Sequence, residues 1–332
     1  MKKLFLIALL LPLIFHNFAQ KSFAQDVNVG VYPPVFQITA NPPSDIRTNF
    51  FVQNLSDKDS IDLDIAVKPF TAGDRENGEV SYQQDLSTYE DPYIFEKMEI
   101  LDGENSVSSI TLAPKQKKNL VLHIQIPKEE TSSDYYFSIL FISKARDNVQ
   151  LNGSQATGAI ASNVLLSIGQ KGKTEGVISD FSAPFFVEKG PVPFTVRVKN
   201  TSSHFITPKG DITIKNIFGQ TIGKVDLLPV NILAGTTRRI PDSLQSPDKE
   251  KEFGQIKDVV LANYYPVAVW PETFLLGPYT ATLTLSLSDS GPVYVRNAYF
   301  FAFPLEALAV IFAVILIAIF IILRVKKKLP EF

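Results

Sequence analysis

Between residues 25 and 299, short runs of β-branched and aromatic residues are separated by turn-forming residues about every eight to twelve positions. Alternation of apolar and polar side chains is clear at 62–67, 120–126 and 280–285. Such alternation is typical of strands that bury one face and expose the other. The pattern predicts an all-β chain of antiparallel β-sandwiches, because nothing in this region carries the 3.6-residue period of an amphipathic helix.

The alternating region contains a weak internal repeat. The segment FVQNLS at 51–56 resembles RVKNTS at 197–202. Two later tyrosines, Tyr135 and Tyr279, lie at nearly the same interval, and each is a candidate tyrosine corner before the last strands of a sandwich. Two matches at one interval predict the same Ig-like β-sandwich twice, in tandem.

The repeat also indicates which residues shape each unit. Asn54 and Asn200 each end a predicted strand in an Asn-x-Ser sequence, where the side chain can close an Asx-turn. A third match, 112–116 with 233–237, keeps its order but not its spacing, which a change in loop length can absorb.

The glycine-rich, charged stretch at 169–176 is the predicted link between the two units. We therefore predict Ig-like domains at 25–172 and 173–298. The first has a long interior at 71–109, predicted as a hairpin plus a short helical turn. That insertion is either a plain surface loop or a functional decoration.

The two ends of the chain carry location signals. At 1–24, two lysines precede a short apolar run and small residues before a cleavage position, which predicts a cleaved signal peptide, with an uncleaved anchor as the alternative. An unbroken apolar run at 307–323 would reach ~26 Å as a helix. We predict a transmembrane helix at 305–323, an aromatic belt before it, and a basic cytoplasmic tail at 324–332.

The aromatic belt consists of Tyr299, Phe300, Phe301 and Phe303. These ends predict a single-pass protein of the cell membrane, with an N-terminal ectodomain outside the cell and the C-terminus in the cytoplasm. The chain has no cysteine, three histidines and a net charge of −2. These values exclude thiolate chemistry and disulfides, and they argue against nucleic acid as a partner. No Gly-x-Ser-x-Gly segment occurs and no motif selects a carboxylate pair, so we predict no catalytic residue, no enzyme activity and no cofactor.

Two acidic clusters offer oxygen ligands of the kind that calcium prefers. They are Asp57, Asp59, Asp62 and Asp64, and Asp74, Glu76 and Glu79. Because the first set alternates outward along a strand and neither set has a glycine-centred loop, a solvated surface is the favoured interpretation and no metal site is predicted.

Aromatic residues near the end of the second unit are the candidate ligand-binding residues. Tyr264, Tyr265 and Trp270, the only tryptophan, flank a proline and could stack on sugar rings. The alternative is that Trp270 packs in the sandwich core, as large aromatic side chains usually do.

Four segments occur in an order that resembles the peptidoglycan-binding domain of the WxL-interacting protein family. They are YPPVFQI at 32–38, NPPS at 41–44, FVQNLS at 51–56 and GEVSY at 78–82. The resemblance implies a bacterial surface protein with two Ig-like domains, a C-terminal transmembrane helix and a short basic tail, which engages peptidoglycan and a partner protein.

Together these features predict a non-catalytic, membrane-anchored binding or adaptor protein of the cell envelope. Its predicted partner is a cell-wall glycan or a surface or membrane protein, bound by strand addition to an exposed sheet edge. The alternative is a scaffold subunit of an envelope membrane complex.

Overall fold

The computed structural model describes residues 28–84, 92–144, 158–170, 172–243, 266–289 and 291–326. The predicted signal peptide at 1–24 lies outside them. The strands and helices of the described residues are β1 (Val29–Tyr32), β2 (Val35–Ala40), β3 (Ser44–Asn54), β4 (Ile61–Ala72), β5 (Val80–Tyr82), a 3-10 helix (Pro92–Lys97), β6 (Met98–Asp102), β7 (Asn105–Ser106), β8 (Ser109–Leu112), β9 (Lys117–Ile126), β10 (Ser133–Ser143), β11 (Ala159–Ile168), β12 (Gly176–Ser182), β13 (Phe186–Val187), β14 (Val192–Asn200), β15 (Lys209–Asn216), β16 (Thr221–Asp226), β17 (Thr237–Arg239), β18 (Ala268–Trp270), β19 (Gly277–Ser286), β20 (Val293–Ala302) and α1 (Leu305–Lys326).

Strands β1 to β11 form two facing sheets, which we call sandwich one. Sheet I has the order β1-β3-β9-β6-β7, and sheet II has the order β2-β11-β10-β4-β5 with β8 beside β4. Strands β12 to β20 form sandwich two. Sheet III has the order β12-β14-β17 with β18 beside β14, and sheet IV has the order β13-β20-β19-β15-β16. The chain is thus mostly β, with its strands in sandwiches, as predicted.

The two sandwiches share one unusual feature of topology. In each, the first strand is broken so that its two halves join different sheets: β1 pairs with β3 antiparallel, and β2 pairs with β11 parallel. Likewise β12 pairs with β14 antiparallel, and β13 pairs with β20 parallel. The shared topology agrees with the internal repeat in the sequence.

Each sandwich has its own apolar core. The core of sandwich one is built around fully buried Phe137 and Phe141 of β10. The core of sandwich two is built around Phe194 of β14, with Trp270 edge-on to Tyr279 at 5.9 Å and to Phe300 at 6.4 Å between ring centroids. Burial of alternate residues on β14 and β19 follows the alternation in their sequences.

The repeated asparagines make the same hydrogen bonds in both sandwiches. The Asn54 amide donates to the carbonyl oxygens of Asp59, Leu112 and Ala113, and its oxygen accepts from the N–H of Ser56. The side chain therefore joins the end of β3 to the turn before β9, and it closes the turn expected from the sequence.

In sandwich two, the Asn200 amide donates to the carbonyl oxygens of His204, Ile232 and Leu233, and its oxygen accepts from the N–H of Ser202. As an acceptor, Ile232 therefore corresponds to Leu112 of sandwich one. This correspondence is shifted by one residue from the sequence alignment, which paired 112–116 with 233–237.

The sandwiches meet through an apolar cluster and a set of hydrogen bonds. Phe70, Tyr136 and Leu165 of sandwich one pack with Phe205 and Leu233 of sandwich two. Beside this cluster, the Asp134 carboxylate accepts from the N–H of Phe205 at 2.6 Å, from the Tyr136 hydroxyl at 2.8 Å and from the Ser167 hydroxyl at 2.7 Å.

The tip of the β4–β5 hairpin forms a second bridge, which we call the Glu76 latch. The Glu76 carboxylate accepts two hydrogen bonds from the Arg197 guanidinium of β14, one of them at 2.8 Å. The Glu76 carbonyl oxygen accepts from the N–H of Arg239 at 2.8 Å. This hairpin lies within the insertion at 71–109, which is therefore a contact between the sandwiches and not a plain surface loop.

The described chain ends with α1, which follows β20 after Phe303 and Pro304. Among the residues whose side chains are described, no helix is long and apolar enough to cross a membrane. This finding contradicts the predicted transmembrane helix at 305–323 and the single-pass localisation with a cytoplasmic tail at 324–332, of which residues 327–332 lie outside the described chain.

Candidate protein-binding surface

The last strand of sandwich two has one covered edge and one largely open edge. Along one side, β20 pairs with β19 over its whole length, from Val293 opposite Ser286 to Ala302 opposite Gly277. Along the other side it pairs with β13 only at Phe301 and Ala302. Most of this second side has no neighbouring strand among the described residues.

The orientation of the backbone shows which groups point outward. The Phe301 N–H donates to the carbonyl oxygen of Phe185 at 2.8 Å, away from β19. Since backbone groups alternate in direction along a strand, those of Val293, Val295, Asn297 and Tyr299 also point away from β19. The Arg296 guanidinium donates to the carbonyl oxygen of Val295 at 3.2 Å, and no other hydrogen bond to these outward groups is present within the described part of the chain. We call the backbone of these four residues the open edge.

The side chains of the same residues form an exposed apolar stripe. Val293 is 61% exposed, Val295 52% and Tyr299 66%, and Phe301 continues the stripe at 38%. On the opposite face, Ala298 and Phe300 are buried in the core and hold the strand in the sheet. The open edge therefore belongs to a firmly packed strand rather than to a frayed end.

A concave groove of about 600 Å³ lies at the Tyr299 end of the stripe. Its lining includes Phe185 and Ile217, which are 82% and 68% exposed, together with Pro278 and Lys215. Pro278 lies opposite Phe301 in the β-ladder, so the groove crosses the solvent face of sheet IV. Exposed aromatic and aliphatic walls of this kind suit a large apolar side chain.

The other edge of sheet IV differs in chemistry. On β16, the Lys224 ammonium lies 3.0 Å from the Asp226 carboxylate and 3.7 Å from that of Asp211. The hydrogen bond to Asp226 and the nearby charge of Asp211 raise the pKa of Lys224. Charged side chains protect a sheet edge against unwanted pairing, and the stripe on β20 carries none of them.

Several of the other sheet edges are short or covered. In sandwich one, β2 covers β11 over six register positions, and the N–H groups of Asn163 and Gly169 donate to the carbonyl oxygens of Pro34 and Ala40. Strands β5 and β7 have three and two residues. Strand β12, of seven residues, also has one side without a neighbour among the described strands, but it carries Asp180, whereas the stripe of β20 has no charged residue.

The candidate residues taken from the sequence lie elsewhere. Trp270 is 5% exposed and packs in the core of sandwich two, in agreement with the alternative interpretation. Tyr264 and Tyr265 lie outside the described residues, so their role as ligand contacts stays a prediction.

The acidic clusters are engaged in pairs with neighbouring groups. Asp57 contacts Lys115 at 3.0 Å, Asp64 contacts Lys144 at 2.9 Å, and Asp62 accepts from the Thr111 hydroxyl at 2.6 Å. The described residues contain no group of three or more His, Asp or Glu side chains that could hold a metal ion.

A smaller cavity of about 80 Å³ lies between the sandwiches, beneath the hairpin that carries the Glu76 latch. Arg238 lines it and packs against Gly78, where φ is +92° and a Cβ would collide with the guanidinium. Burial lowers the pKa of Arg238, whose guanidinium donates to the carbonyl oxygen of Asn231 at 2.6 Å. This arrangement packs the two sandwiches against each other and presents no wide opening.

Sequence reasoning missed the open edge because it assigned the aromatic residues before the apolar run to a membrane belt. The structure corrects that assignment: Phe300 is buried in the core, whereas Tyr299 and Phe301 belong to the exposed stripe of β20. The signal that could have found the stripe is the period-2 pattern of apolar residues at 293, 295, 299 and 301.

No family model matches the sequence, and no curated protein matches it. Solved structures that resemble the chain include the class 5 fimbriae chaperone CfaA, with 11% identity and a TM-score of 0.35 over 82% of this chain and 99% of that one. A chaperone–tip adhesin complex of CFA/I fimbriae biogenesis gives 10% identity and 0.37 over 82% and 98%. The CsuC–CsuE chaperone–tip adhesion subunit complex of Acinetobacter baumannii gives 11% and 0.33 over 81% and 97%.

Scores this low carry no residue position and no partner from those proteins to this chain. The structures found are fimbrial chaperones, which contradicts the resemblance to the WxL-interacting family. The same finding contradicts the predicted adaptor function and the alternative of a scaffold subunit in a membrane complex. It also contradicts the predicted partners, which were peptidoglycan or another cell-wall glycan, or a surface or membrane protein. The resemblance failed because its segments are generic sandwich parts: 41–44 is the turn that leads into β3, and 51–56 is the end of β3 with its Asx-turn.

Proposed function

We propose that the chain is a non-catalytic protein-binding module that takes an extended segment of another polypeptide as an added strand along β20. The observation that carries this proposal is the open edge, a row of four outward-facing backbone positions beside an exposed apolar stripe. Backbone hydrogen bonds would supply affinity, and alternate side chains of the added strand would supply specificity.

The length of the open edge agrees with this function. Residues 293–299 span about 23 Å at the usual strand rise, which matches a partner segment of seven or eight residues. The core contacts of Ala298 and Phe300 keep β20 in place, so an added strand would meet a preformed edge. A preformed edge reduces the entropy that binding must overcome.

The described histidines support a non-catalytic role. His123 lies in sheet I with its Nε2 atom 3.0 Å from an Asp45 carboxylate oxygen. His204 is buried in sandwich two, where its Nε2 atom lies 3.5 Å from the Thr174 hydroxyl. The two imidazoles thus belong to different sandwiches and are packed within the fold.

A fluorescein-labelled peptide with alternating Val and Thr tests the proposal by fluorescence anisotropy. We expect saturable binding to the wild-type chain and a loss of at least about tenfold in affinity for Val295→Pro, which removes one outward N–H. Val295→Thr keeps that N–H and serves as the matched control, with binding close to wild type.

A second peptide, N-methylated at the amides that would face β20, separates strand addition from simple apolar contact. It keeps the side chains and loses the backbone donors, so we expect it not to bind. Equal binding of the methylated and unmethylated peptides would overturn the proposed function.

We further propose that the chain divides in the link between β11 and β12 into the domains expected from the sequence, 25–172 and 173–298, with the second unit extended to Ala302 where β20 ends. Limited proteolysis tests this division. Cleavage between 169 and 176 should yield two fragments that remain folded by circular dichroism.

A further inference from the structure

We propose that the small cavity between the sandwiches binds a small oxyanion, such as inorganic phosphate or sulfate, through Arg238, Asn163 and Asn231. The three side chains line the cavity and carry hydrogen-bond donors that no described residue uses. The site is separate from the open edge of β20, and the inference stands independently of strand addition.

Arg238 is a partly buried cation without an acidic partner. No carboxylate of the described residues pairs with it, and burial lowers its pKa. Its Nη1 atom donates to the carbonyl oxygen of Asn231, whereas its Nε atom is buried without a hydrogen-bond partner among the described residues. Exposed lysines such as Lys58 and Lys199 also lack a carboxylate, but water solvates them. A charge removed from water is costly unless a counter-charge meets it, so the guanidinium of Arg238 favours an anionic guest.

Two asparagines of the cavity wall add neutral donors. Asn163 of β11 accepts from the Ser138 hydroxyl at 2.7 Å through its side-chain oxygen. The side-chain oxygen of Asn231, in the segment between β16 and β17, accepts from the Gln37 amide at 3.0 Å and from the Thr207 hydroxyl at 2.6 Å. Both amide oxygens are thus occupied, and neither amide nitrogen donates to a described residue. Each NH₂ group can therefore donate to a guest.

The acidic residues of the cavity wall are already compensated. The Glu76 carboxylate accepts two hydrogen bonds from Arg197, and the Glu79 carboxylate lies 3.6 Å from the Arg75 guanidinium. Arg238 is then the charge of the described wall that has no counterpart. A guanidinium beside neutral N–H donors is the combination that binds oxyanions by charge-assisted hydrogen bonds.

The volume of the cavity limits the guest to a small group. The cavity measures about 80 Å³, whereas one water molecule needs about 10–15 Å³ of such space. Phe70, Leu165 and Leu233 form an apolar part of its wall, and low polarity strengthens the hydrogen bonds made beside it. The hairpin above the cavity leaves no wide opening, which favours a free ion over a polypeptide segment.

The donors come from both sandwiches. Asn163 belongs to sandwich one, and Asn231 and Arg238 belong to sandwich two. An oxyanion held by all three would therefore join the sandwiches at this point. Because a ligand that binds only the folded form stabilises it by mass action, the thermal midpoint of unfolding should rise with the phosphate concentration.

Calorimetric titration of the full chain with sodium phosphate, and separately with sodium sulfate, tests the inference. The ionic strength is held constant with sodium chloride. We expect saturable binding of one ion per chain for both oxyanions, together with a higher thermal midpoint. Sodium chloride alone should produce neither effect.

Two substitutions remove the site in different ways. Arg238→Gln deletes the positive charge and should weaken phosphate binding by about tenfold or more. Asn163→Asp can still accept from the Ser138 hydroxyl, but its carboxylate repels an anion, so we expect a similar loss. Lys58→Gln removes an exposed positive charge between β3 and β4 and is the matched control. Its affinity for phosphate should stay within about twofold of wild type.

Side-chain amide resonances of the wild-type chain give a readout that depends on no variant. Phosphate should shift the NH₂ signals of Asn163 and Asn231 and leave those of the exposed Asn297 on β20 in place. Unchanged signals of Asn163 and Asn231, or an absence of saturable binding, would overturn the inference. Wild-type affinity in both Arg238→Gln and Asn163→Asp would do the same. These results leave strand addition untouched, since Val295→Pro tests it separately.

Discussion

The last strands of the two sandwiches have the same place in the fold and differ in how much of their outer edge is covered. In sandwich one, β2 lies beside β11 over six register positions. In sandwich two, β13 lies beside β20 over two positions, although β20 is ten residues long. The two edges share one topology, and the length of the covering strand decides which of them is available.

This difference shows how a binding edge can arise without a change of architecture. Both last strands pair along their other side with the preceding strand over ten register positions. Both place large apolar side chains in a core, as Leu166 and Phe300 do. Shortening a single covering strand is enough to turn a closed edge into an open one.

Amide hydrogen exchange should give the largest contrast between the two edges. The N–H groups of Asn163 and Gly169 donate to the carbonyl oxygens of Pro34 and Ala40, whereas those of Val295 and Asn297 point outward without a partner among the described residues. We expect exchange at least about 10³-fold slower for the first pair, because bonded core amides open only with sub-global unfolding.

The intervening residues of β20 supply the control for this measurement. The N–H groups of Ala298 and Phe300 face β19, so they should be protected like those of β11. Slow exchange of Val295 and Asn297 in the isolated chain would show that the open edge is covered in solution, and the comparison between the sandwiches would fail.

The repeated asparagines test whether the two sandwiches are equally dependent on the same hydrogen bonds. Asn54→Ala and Asn200→Ala each leave several buried carbonyl groups without a donor. We expect each to lower the free energy of unfolding by roughly 2–4 kcal/mol. Urea denaturation followed by fluorescence measures this value.

Asn77→Ala is the matched control, since that side chain accepts a single hydrogen bond from the N–H of Glu79 in an exposed turn. We expect a change below about 1 kcal/mol for it. If Asn54→Ala and Asn200→Ala lower the free energy of unfolding by very different amounts, one sandwich contributes little to the measured stability.

The Glu76 latch should make the joint between the sandwiches sensitive to acid. Hydrogen bonding by Arg197 holds the pKa of Glu76 below its ordinary value, as do the charges of Arg197 and Arg239. Because folding lowers this pKa, the ionised carboxylate stabilises the fold at pH values above the unfolded-state pKa. This contribution is lost as the pH falls through the lower, folded-state pKa.

We therefore expect Glu76→Gln to cost about 1 kcal/mol at pH 7, because the ion pair is partly exposed. The stability curves of the variant and the wild type should converge below about pH 4. Glu79→Gln, on the same hairpin and paired with Arg75 at 3.6 Å, is the control and should change little. Parallel pH curves for Glu76→Gln and the wild type would contradict the latch.

Much of the sandwich architecture could be predicted because it follows from local alternation. The alternating segments at 62–67, 120–126 and 280–285 lie within β4, β9 and β19. Tyr279 also behaves as expected of a tyrosine corner: its hydroxyl accepts from the N–H of Leu276 at 2.8 Å. The matched Tyr135 instead donates to the Glu130 carboxylate, a side-chain partner that the repeat does not specify.

The open edge could not be predicted in the same way, because exposure of an edge depends on which strand lies beside it. The stripe itself is visible as alternation, but the coverage by β13 is decided by non-local pairing. One local signal was available: Pro184 and Pro191 closely bracket β13, and prolines limit how far a strand can extend a ladder. Pro34 and Pro42 border β2 in the same way, so this signal alone does not distinguish the two covering strands.

The direct passage from β20 into α1 has a mechanical consequence. Phe303 and Pro304 are the only residues between the strand and the helix, so tension applied to α1 along the strand axis acts on β20 at once. The hydrogen bonds of an antiparallel ladder lie perpendicular to the strands. Such a pull would therefore shear all ten positions shared with β19 together instead of unzipping them one by one, and sandwich two would resist force best in the direction of its own last strand.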